Sequence, residues 1–551
     1  MIWLCVLALV SCVAGPAVAG DDEGEKDRVV LLDTASFWRH RVTWGTDVVR
    51  LESGELAPIH PARTTRRIER VVDGRKRRLW VLRPHDEAYA WSLPAAGWAR
   101  PDLEDGGWAR LEGPFCVGPY GCRKRSYRST PLLCLRGKFR VDDPAKVGDL
   151  ALSVSYLGGM VVYVNGRELT RGHLPDGELE ATTPAADYPE RAFFDEKGSL
   201  WVWTAYRTDE KGREAFELRL RRLSVRVPAS ILRKGVNVVA LENHRSPAPE
   251  GFFLGKNEKY RNIKHVKAFC WWSRVGVRAV RLTAAEGAAA TPNAAHTGRP
   301  KGVQVWTWPI HRMVSARDYA DPCEPLDPVR LCGARNGAYS GQVVIGSDRP
   351  IRGLEVDVSA LKGPAVLPAS AVEVRYPLCS VAARRGRGPF FDGLEAFAPA
   401  TVPVRKGEED GPTYGAVQPI WLTVHVPTGA KPGRYSGTVT VRARDMKPVD
   451  VPLAVEVVDW TLPDPTEFFT HLGLIQSPDS LAMQYDVPAW SEPHWKLLDR
   501  TFELLGEVGN KVIWITAQRK THFGSEHAMI RWSRGADGEL EPDLSVAERY
   551  L

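Results

Sequence analysis

The chain has 551 residues, including 49 glycines and 41 prolines, and its net charge at pH 7 is +7. This length exceeds what one hydrophobic core accommodates, so we expect about three or four domains. A small positive charge spread over so long a chain does not predict nucleic-acid binding. Short valine-rich runs between glycines and prolines predict strands joined by turns, so the expected fold class is mainly β.

The amino terminus, residues 1–19, predicts a signal peptide. Met1 to Val10 are almost wholly apolar, and Ala17-Val18-Ala19 has the small-residue pattern that signal peptidase recognises. We therefore expect an exported protein that is secreted, periplasmic or at the cell surface. The order Leu9-Val10-Ser11-Cys12 leaves a second option open, a lipid anchor at Cys12. No later stretch approaches the roughly 18 apolar residues of a membrane span.

The cysteines after the leader have no CxxC motif and no Cys/His metal spacing. We therefore predict neither a metal site nor a cofactor. Two interpretations of the cysteines remain open. Cys116 with Cys122, and Cys323 with Cys332, would close short loops as disulfides in an oxidising compartment, and unpaired buried thiols are an equal alternative.

The first predicted domain covers residues 30–283. Its basic run, Arg63 to Arg78, contains Asp73-Gly74 between two strand-like segments, which predicts a hairpin with a solvated face. Further on, Leu150 to Val164 predicts two strands joined at Gly158-Gly159. The dipeptide that follows, Asn165-Gly166, is suited to a tight hairpin turn.

Four motifs of this domain occur in the order found in one known module: Trp98-x-x-x-Asp102-x-x-Asp105-x-x-Trp108, Val162-Tyr163-Val164-Asn165-Gly166, Lys234-Gly235-x-Asn237-x-x-Ala240-x-Glu242 and Gly276 to Leu282. Together they resemble the galactose-binding-like jelly roll that precedes many glycosidase barrels. The resemblance implies that Asn165 and Asn237 form turns. It does not by itself imply sugar binding.

The chain contains 19 tryptophans, which suits stacking on sugar faces but also packing inside β-sandwiches. We expect Trp98 and Trp108 to fill the sandwich, as they do in such modules. Trp271 and Trp272 are adjacent, so on a strand one of them points outward. They are therefore the better candidates for an exposed sugar-binding platform.

A flexible linker is predicted at residues 284–302, where small residues, proline and glycine can bury almost nothing. The second domain, residues 303–462, follows it. Its strongest local feature is Tyr435, which stands just before a strand and can pack and bond back at a sandwich corner. Strand signals occur in four places: Ser340 to Ile345, Leu354 to Val358, Ile420 to Val426 and Val449 to Val458.

The second domain carries an ordered set of motifs: Arg335-Asn336-Gly337, Gln342 to Ile345, Gln418 to Trp421, Pro427 to Val441, and Trp460-x-Leu462-Pro463. In this order they strongly resemble the β-sandwich that lies immediately before the barrel in proteins of glycoside hydrolase family 123. The resemblance implies an immunoglobulin-like sandwich followed by a catalytic barrel.

The last predicted domain, residues 463–551, follows the order β, α, β, α. Phe468 to Ile475 predicts a strand, and Ser491 predicts the cap of a helix with one apolar face. Val512 to Ile515 predicts a second strand, and Ser545 to Leu551 begins another helix. A (β/α)₈ barrel begins in this way, so we predict the first units of an incomplete TIM barrel.

The resemblance to family 123 implies a retaining N-acetylhexosaminidase in which the acetamido oxygen of the substrate attacks the anomeric carbon. An adjacent Asp-Glu pair orients that amide and protonates the leaving oxygen, which requires two neighbouring carboxyl groups at a strand end. No acidic doublet of this chain follows a predicted barrel strand: Asp22-Glu23, Asp86-Glu87, Asp195-Glu196, Asp209-Glu210 and Glu409-Asp410. The catalytic pair is therefore expected beyond Leu551, and this chain alone is expected to be inactive.

Residues just after the two predicted barrel strands lie on the face where barrel active sites form. Gln476 follows the first strand, and Thr516 and Gln518 follow the second. His471 and His522 are further candidates. We predict that these five residues contribute to substrate binding, with a loop or core role as the alternative for each.

Two functions remain open from the sequence. The first is an exported glycoside hydrolase, or a part of one, that acts on a polysaccharide or glycoconjugate. The second is a non-catalytic carbohydrate-binding or cell-surface scaffold protein. An Asp-Glu doublet after a Val/Ile-rich strand in a continuing reading frame would separate them. A barrel that stops after two strands would expose an apolar sheet edge, so we expect an incomplete gene model. The sequence does not define the sugar or the oligomeric state.

Overall fold

The structure is a computed structural model. It describes residues 28–45, 47–51, 53–59, 65–72, 75–82, 94–116, 130–201, 205–249, 274–293, 299–311, 313–380, 390–405, 415–520 and 526–551. The predicted leader, Cys12, Trp271, Trp272 and His522 lie outside the described residues. Within them the fold is mainly β, as the composition predicts, and no sheet closes into a barrel.

The described residues form 31 strands and six α-helices. In chain order the strands are β1 Arg28–Asp33, β2 Phe37–Thr43, β3 Asp47–Arg50, β4 Leu56–Ile59, β5 Thr65–Val72, β6 Arg75–Leu82, β7 Ala109–Glu112, β8 Leu132–Val141, β9 Leu150–Leu157, β10 Gly159–Val164, β11 Arg167–Gly172, β12 Arg221–Val227, β13 Gly235–His244, β14 Ala248–Pro249, β15 Gly276–Ala285, β16 Ala290–Thr291, β17 Val303–Thr307, β18 Val329–Arg335, β19 Gly337–Ser347, β20 Ile351–Arg352, β21 Glu355–Val358, β22 Leu361–Lys362, β23 Val366–Leu367, β24 Val372–Ser380, β25 Phe390–Glu395, β26 Thr401–Val402, β27 Ala416–Val426, β28 Gly433–Arg442, β29 Val449–Thr461, β30 Arg531–Arg534 and β31 Leu540–Asp543. The helices are α1 Pro144–Val147, α2 Ala205–Thr208, α3 Glu210–Glu217, α4 Pro478–Gln484, α5 Glu492–Glu507 and α6 Ser545–Tyr550. None of these helices combines the length and the apolar composition needed to cross a bilayer.

The first two-sheet unit pairs a four-stranded sheet, in the order β1-β15-β9-β12, with a larger sheet in the order β11-β10-β13-β8-β2-β7. Alternate apolar residues of both sheets form one core, for example Leu152 on β9 and Leu241 on β13. Trp98 and Trp108 stack with ring centroids 5.9 Å apart on the outer face of the larger sheet, so the expectation that they fill the sandwich is wrong, although both pack against other side chains. The hairpin predicted around Asp73-Gly74 is confirmed by the antiparallel pair β5 and β6.

Two predicted turns of this unit are confirmed. Asn165 and Gly166 both have positive φ, at 52° and 84°, and connect β10 to β11. The side chain of Asn165 donates to the Oδ1 of Asn237 at 2.8 Å and accepts from the backbone N–H of Val238 at 3.0 Å. The two asparagines therefore join the tip of one hairpin to the turn before β13.

The chain changes sheets at Gly158, between β9 and β10, where φ is +88°. A Cβ at this position would lie 2.0 Å from the carbonyl oxygen of His244 and 2.7 Å from that of Arg274. Neighbouring strands therefore approach the backbone so closely that only glycine fits. The predicted junction at Gly158-Gly159 is thus a crossing from one sheet to the other.

The second two-sheet unit contains a five-stranded sheet in the order β17-β19-β27-β24-β25 and a six-stranded sheet with the path β18-β29-β28-β22-β23. Strands β18 and β29 run parallel. The predicted corner tyrosine is confirmed, because Tyr435 is buried and its hydroxyl donates to the carbonyl oxygen of Lys431 at 2.7 Å. Strands form at all four predicted places.

Residues 284–293, the first part of the predicted flexible linker, are more ordered than predicted. Ala284 and Ala285 end β15, and Ala290–Thr291 pairs with β8. The side chain of Asn293 donates to the backbone carbonyl of Lys138 at 3.0 Å and to Asp321 of the second unit at 3.0 Å. The linker prediction is wrong for this first part, because these residues pair with a sheet of the first unit and contact the second unit.

Buried charged residues join the two units. Asp105, in the loop before β7, holds Arg136 and Lys138 of β8 at 2.8 and 2.7 Å. Glu324 of the second unit accepts two hydrogen bonds of 2.7 Å from Arg39 on β2 and lies 3.2 Å from Lys138. These five residues, which we call the ionic cluster, are all at least nine-tenths buried by side chain. The two units therefore share a desolvated polar contact.

Aromatic residues extend the same contact. Phe37 of β2 packs edge-on against Tyr319 of the second unit, with ring centroids 5.0 Å apart, and against Trp308 at 6.5 Å. The guanidinium of Arg110 lies 3.9 Å from the Phe37 ring centroid and donates to the Tyr319 carbonyl at 3.1 Å. Apolar packing thus surrounds the charges.

Of the two interpretations of the cysteines, free thiols hold for Cys323 and Cys332, while the predicted pair Cys116 and Cys122 stays a prediction. Cys323 is buried and Cys332 is exposed, so no bond joins them. Cys122 lies outside the described residues.

Candidate functional site

The candidate site lies in the C-terminal segment, residues 463–551, where two extended stretches run parallel. The predicted strands at residues 468–475 and 512–515 are wrong as regular strands, because a single bridge, between Leu472 and Asn510, joins these stretches. Each stretch has one described neighbour, so most ladder hydrogen bonds are absent there. The predicted helix between them is confirmed as α5, with Ser491 as its cap.

Side chains replace part of the missing ladder. The Oδ1 of Asn510 accepts from the backbone N–H of Leu474 at 2.7 Å, and the Oε1 of Gln476 accepts from that of Trp514 at 3.0 Å. The Nε2 of Gln476 also donates to the carbonyl of Val512 at 3.4 Å. Gln476 is buried, and its amide is used to join the two stretches.

The structure brings only part of the predicted set together. Thr516 is half-buried near Gln476, and its carbonyl accepts from the N–H of Met529 at 2.8 Å. Gln518 is exposed in a bend further along. His471 is exposed and directly precedes the bridge residue Leu472, five residues before Gln476. Its role in substrate binding stays a prediction.

Two residues at this end were missed by the sequence analysis. Asp479, in the first turn of α4, is 6% exposed, and its Oδ2 accepts from the backbone N–H groups of Glu526 and His527 at 3.0 and 3.3 Å. Its Oδ1 lies 2.5 Å from the Nδ1 of His527. The signal was an acidic residue directly after Ser477-Pro478, a helix start. Asp479 fixes the loop after the second stretch onto α4.

We expect the substitution Asp479→Asn to loosen residues 526–529, because an amide offers one acceptor oxygen where the carboxylate offers two. Amide hydrogen exchange at these residues should accelerate about tenfold, which corresponds to ~1.4 kcal/mol. Asp499→Asn, an exposed change on α5, is the control and should leave this exchange unchanged. Equal rates in both variants would show that Asp479 does not hold the loop.

The described acidic doublets have local structural roles. Asp195 accepts from the N–H groups of Lys197 and Ser199 in a turn, while Glu196 pairs with Lys211 on the surface. Asp209 caps α3. Among the described residues, no Asp-Glu doublet stands at the carboxyl end of either parallel stretch, and no group of three His, Cys, Asp or Glu side chains could hold a metal ion.

Comparison with known families agrees with this order of domains. Residues 327–443 match the model of the glycoside hydrolase 123 N-terminal domain, and residues 476–551 match that of the glycoside hydrolase 123 catalytic domain. The chain is a family 123-like protein. The catalytic match begins at Gln476, so in this family 123-like protein the candidate site and the start of the catalytic-domain match coincide.

Solved structures resemble this family 123-like protein only distantly. A family 123 glycoside hydrolase from Clostridium perfringens, described as acting in glycolipid glycan hydrolysis, is 16% identical over 45% of each chain, with a TM-score of 0.37. A β-glucuronidase from Bifidobacterium dentium is 10% identical over 91% of this chain and 60% of its own, with a TM-score of 0.21. Bacteroides uniformis β-glucuronidase 2 is 13% identical over 78% of this chain and 38% of its own, with a TM-score of 0.18.

The chain therefore spans about 45% of the length of the family 123 structure. All three TM-scores are low, so these superpositions carry no conclusion about activity. A search of curated proteins finds no match.

Proposed function

We propose that this chain is part of an exported glycoside hydrolase that acts on glycoconjugates or polysaccharides, with N-acetylhexosaminides as the substrate class. The observation that carries the proposal is the order of two family matches, an N-terminal domain at 327–443 and a catalytic domain at 476–551. The proposed partner is a carbohydrate substrate.

The proposed mechanism is substrate-assisted and retaining. The acetamido oxygen of the substrate attacks the anomeric carbon, and a neighbouring pair of carboxyl groups orients the amide and protonates the leaving oxygen. Among the described residues of this chain, Gln476 and Thr516 would form part of the mouth of the barrel, at the carboxyl ends of its first two strands. Asp479 would position the loop at that mouth through its contacts with residues 526 and 527.

The proposal includes finer points of architecture and location. The first two-sheet unit would be a galactose-binding-like jelly roll, the second an immunoglobulin-like sandwich, and the C-terminal segment the start of a (β/α)₈ barrel. Residues 1–19 would direct export, with Cys12 as an alternative lipid attachment point. The apolar leader and its Ala17-Val18-Ala19 pattern support this part of the proposal.

The test is an activity comparison. This chain and the product of the complete reading frame from the same gene are purified and incubated with 4-nitrophenyl N-acetyl-β-galactosaminide, N-acetyl-β-glucosaminide and β-glucuronide. We expect the complete product to release nitrophenol from an N-acetylhexosaminide and this chain alone to release none. Release from the glucuronide alone would contradict the substrate class, and no release by either protein would favour the carbohydrate-binding alternative.

A further inference from the structure

A cleft of about 710 Å³ opens where the two units meet, and none of the described residues that line it belongs to the C-terminal segment. Its floor is the outward face of the five-stranded sheet, where Gln342 of β19 pairs with Trp421 of β27 and Ser340 lies two residues before Gln342. One wall is the turn from Trp308 to His311, and the other combines Arg110 with residues 320–328. This volume lies within the ~300–1,000 Å³ typical of small-molecule sites.

The charges that line the cleft balance. Among the described residues that line the cleft, and apart from His311, there are three cations and three carboxylates: Arg39, Arg110, Arg330, Asp321, Glu324 and Asp327. Most of them satisfy one another, since Arg39 contacts Glu324 at 2.7 Å and Asp327 at 3.2 Å. A charged ligand would meet a group of its own sign on the same wall. The cleft therefore suits a neutral, polar ligand.

The remaining lining residues offer stacking surfaces and hydrogen bonds. Trp421 is half-buried on the floor, beside Gln342, whose amide is fixed by donation to the carbonyl of Pro309 at 3.0 Å. Two buried donors, the Nε1 of Trp306 and the Nε of Arg110, have no acceptor among the described residues. Both atoms are enclosed by protein, so the groups open to a ligand are those of Trp421, Ser340 and Asp327.

We propose that this cleft binds a neutral glycan chain. A pyranose ring has apolar C–H faces that pack on an indole such as Trp421, and hydroxyl groups that donate to the carboxylate of Asp327. The site is separate from the C-terminal segment and does not depend on hydrolysis. It would hold a substrate or a surface glycan to the body of the protein.

The experiment is isothermal titration of this whole chain with neutral oligosaccharides, namely cellohexaose, mannohexaose and chitohexaose, and with oligogalacturonate as the acidic comparison. We expect at least one neutral oligosaccharide to bind and oligogalacturonate not to bind. Trp421→Ala removes the platform, and Ala338→Trp fills the cleft from an exposed position on β19. Each should weaken binding about tenfold or more, which is ~1.4 kcal/mol.

Trp460→Ala, at an exposed tryptophan near the end of β29, is the matched control and should bind as the unmodified chain does. Melting temperatures establish which variants are folded. Ala338→Trp removes no packing, so this variant alone tests whether the cleft binds the oligosaccharide if Trp421→Ala does not fold. The proposal is overturned if no neutral oligosaccharide binds at millimolar concentration, if Ala338→Trp binds unchanged, or if Gln476→Ala abolishes the binding instead.

Discussion

Gly158→Ala should cost the first unit roughly 4 kcal/mol of its free energy of unfolding and should lower its melting temperature strongly. Two unfavourable contributions to the free energy of folding add at this position. The φ of +88° disfavours any side chain, and the new Cβ would lie 2.0 Å from the carbonyl oxygen of His244. That oxygen belongs to a β13 residue paired with β10, so it cannot move without opening the sheet.

Gly177→Ala separates the two terms. Gly177 has the same φ of +88°, but nothing lies within 4 Å of a Cβ built there. Its alanine variant should lose about 1 kcal/mol, the cost of the left-handed backbone alone. Urea unfolding of both variants measures the difference. Equal losses would mean that the strands near Gly158 adjust to a methyl group.

Glu324→Gln should destabilise the joined units by about 3 kcal/mol at neutral pH. Burial by itself would raise the pKa of Glu324, but the attraction of Arg39, Lys138 and Arg110 outweighs burial and lowers this pKa to about 2. The neutral amide leaves Arg39 and Lys138 buried with one carboxylate fewer. Glu373→Gln, in a partly exposed pair with Arg375 at 2.7 Å, is the control and should cost less than about 1 kcal/mol.

The loss of stability in Glu324→Gln should depend on pH, because the pKa of Glu324 is lowered in the folded protein. A carboxyl group with a lowered pKa stabilises the fold above its unfolded pKa, and this stabilisation is lost as pH falls towards the folded value. The difference in free energy of unfolding between wild type and Glu324→Gln should therefore have its full value at pH 6 and shrink between about pH 4.5 and 2. Burial raises the pKa of Asp321, so that residue contributes in the opposite direction in both proteins. A difference in free energy of unfolding that does not change with pH would contradict the lowered pKa of Glu324.

Short-range chemistry made several features predictable. The turn at Asn165-Gly166, the corner at Tyr435 and the cap at Ser491 each depend on a few neighbouring residues, and all three form as expected. The positions of four strands in the second unit were also predictable, because alternation of apolar residues follows the pleat.

Long-range arrangements were not predictable from the same patterns. Arg39, Lys138 and Glu324 are far apart in sequence, and nothing near any of them indicates that they meet. The apolar stretch at 468–475 predicts burial, but Leu474 and Ile475 are 43% and 51% exposed. A pattern of apolar residues indicates that a segment can form a strand. Whether the strand is buried depends on neighbouring strands, which the pattern does not predict. Asp479 was missed because its partner His527 follows 48 residues later.

The contact between the two units also limits how this protein can be divided. Either unit expressed alone would present Phe37 or Trp308, and would leave Arg39 or Glu324 without its counterpart. Newly exposed aromatic and charged groups of this kind favour association with other molecules. The two units therefore behave as one exchangeable part: in a chimaera, both should be transferred together, with the junction placed after β29.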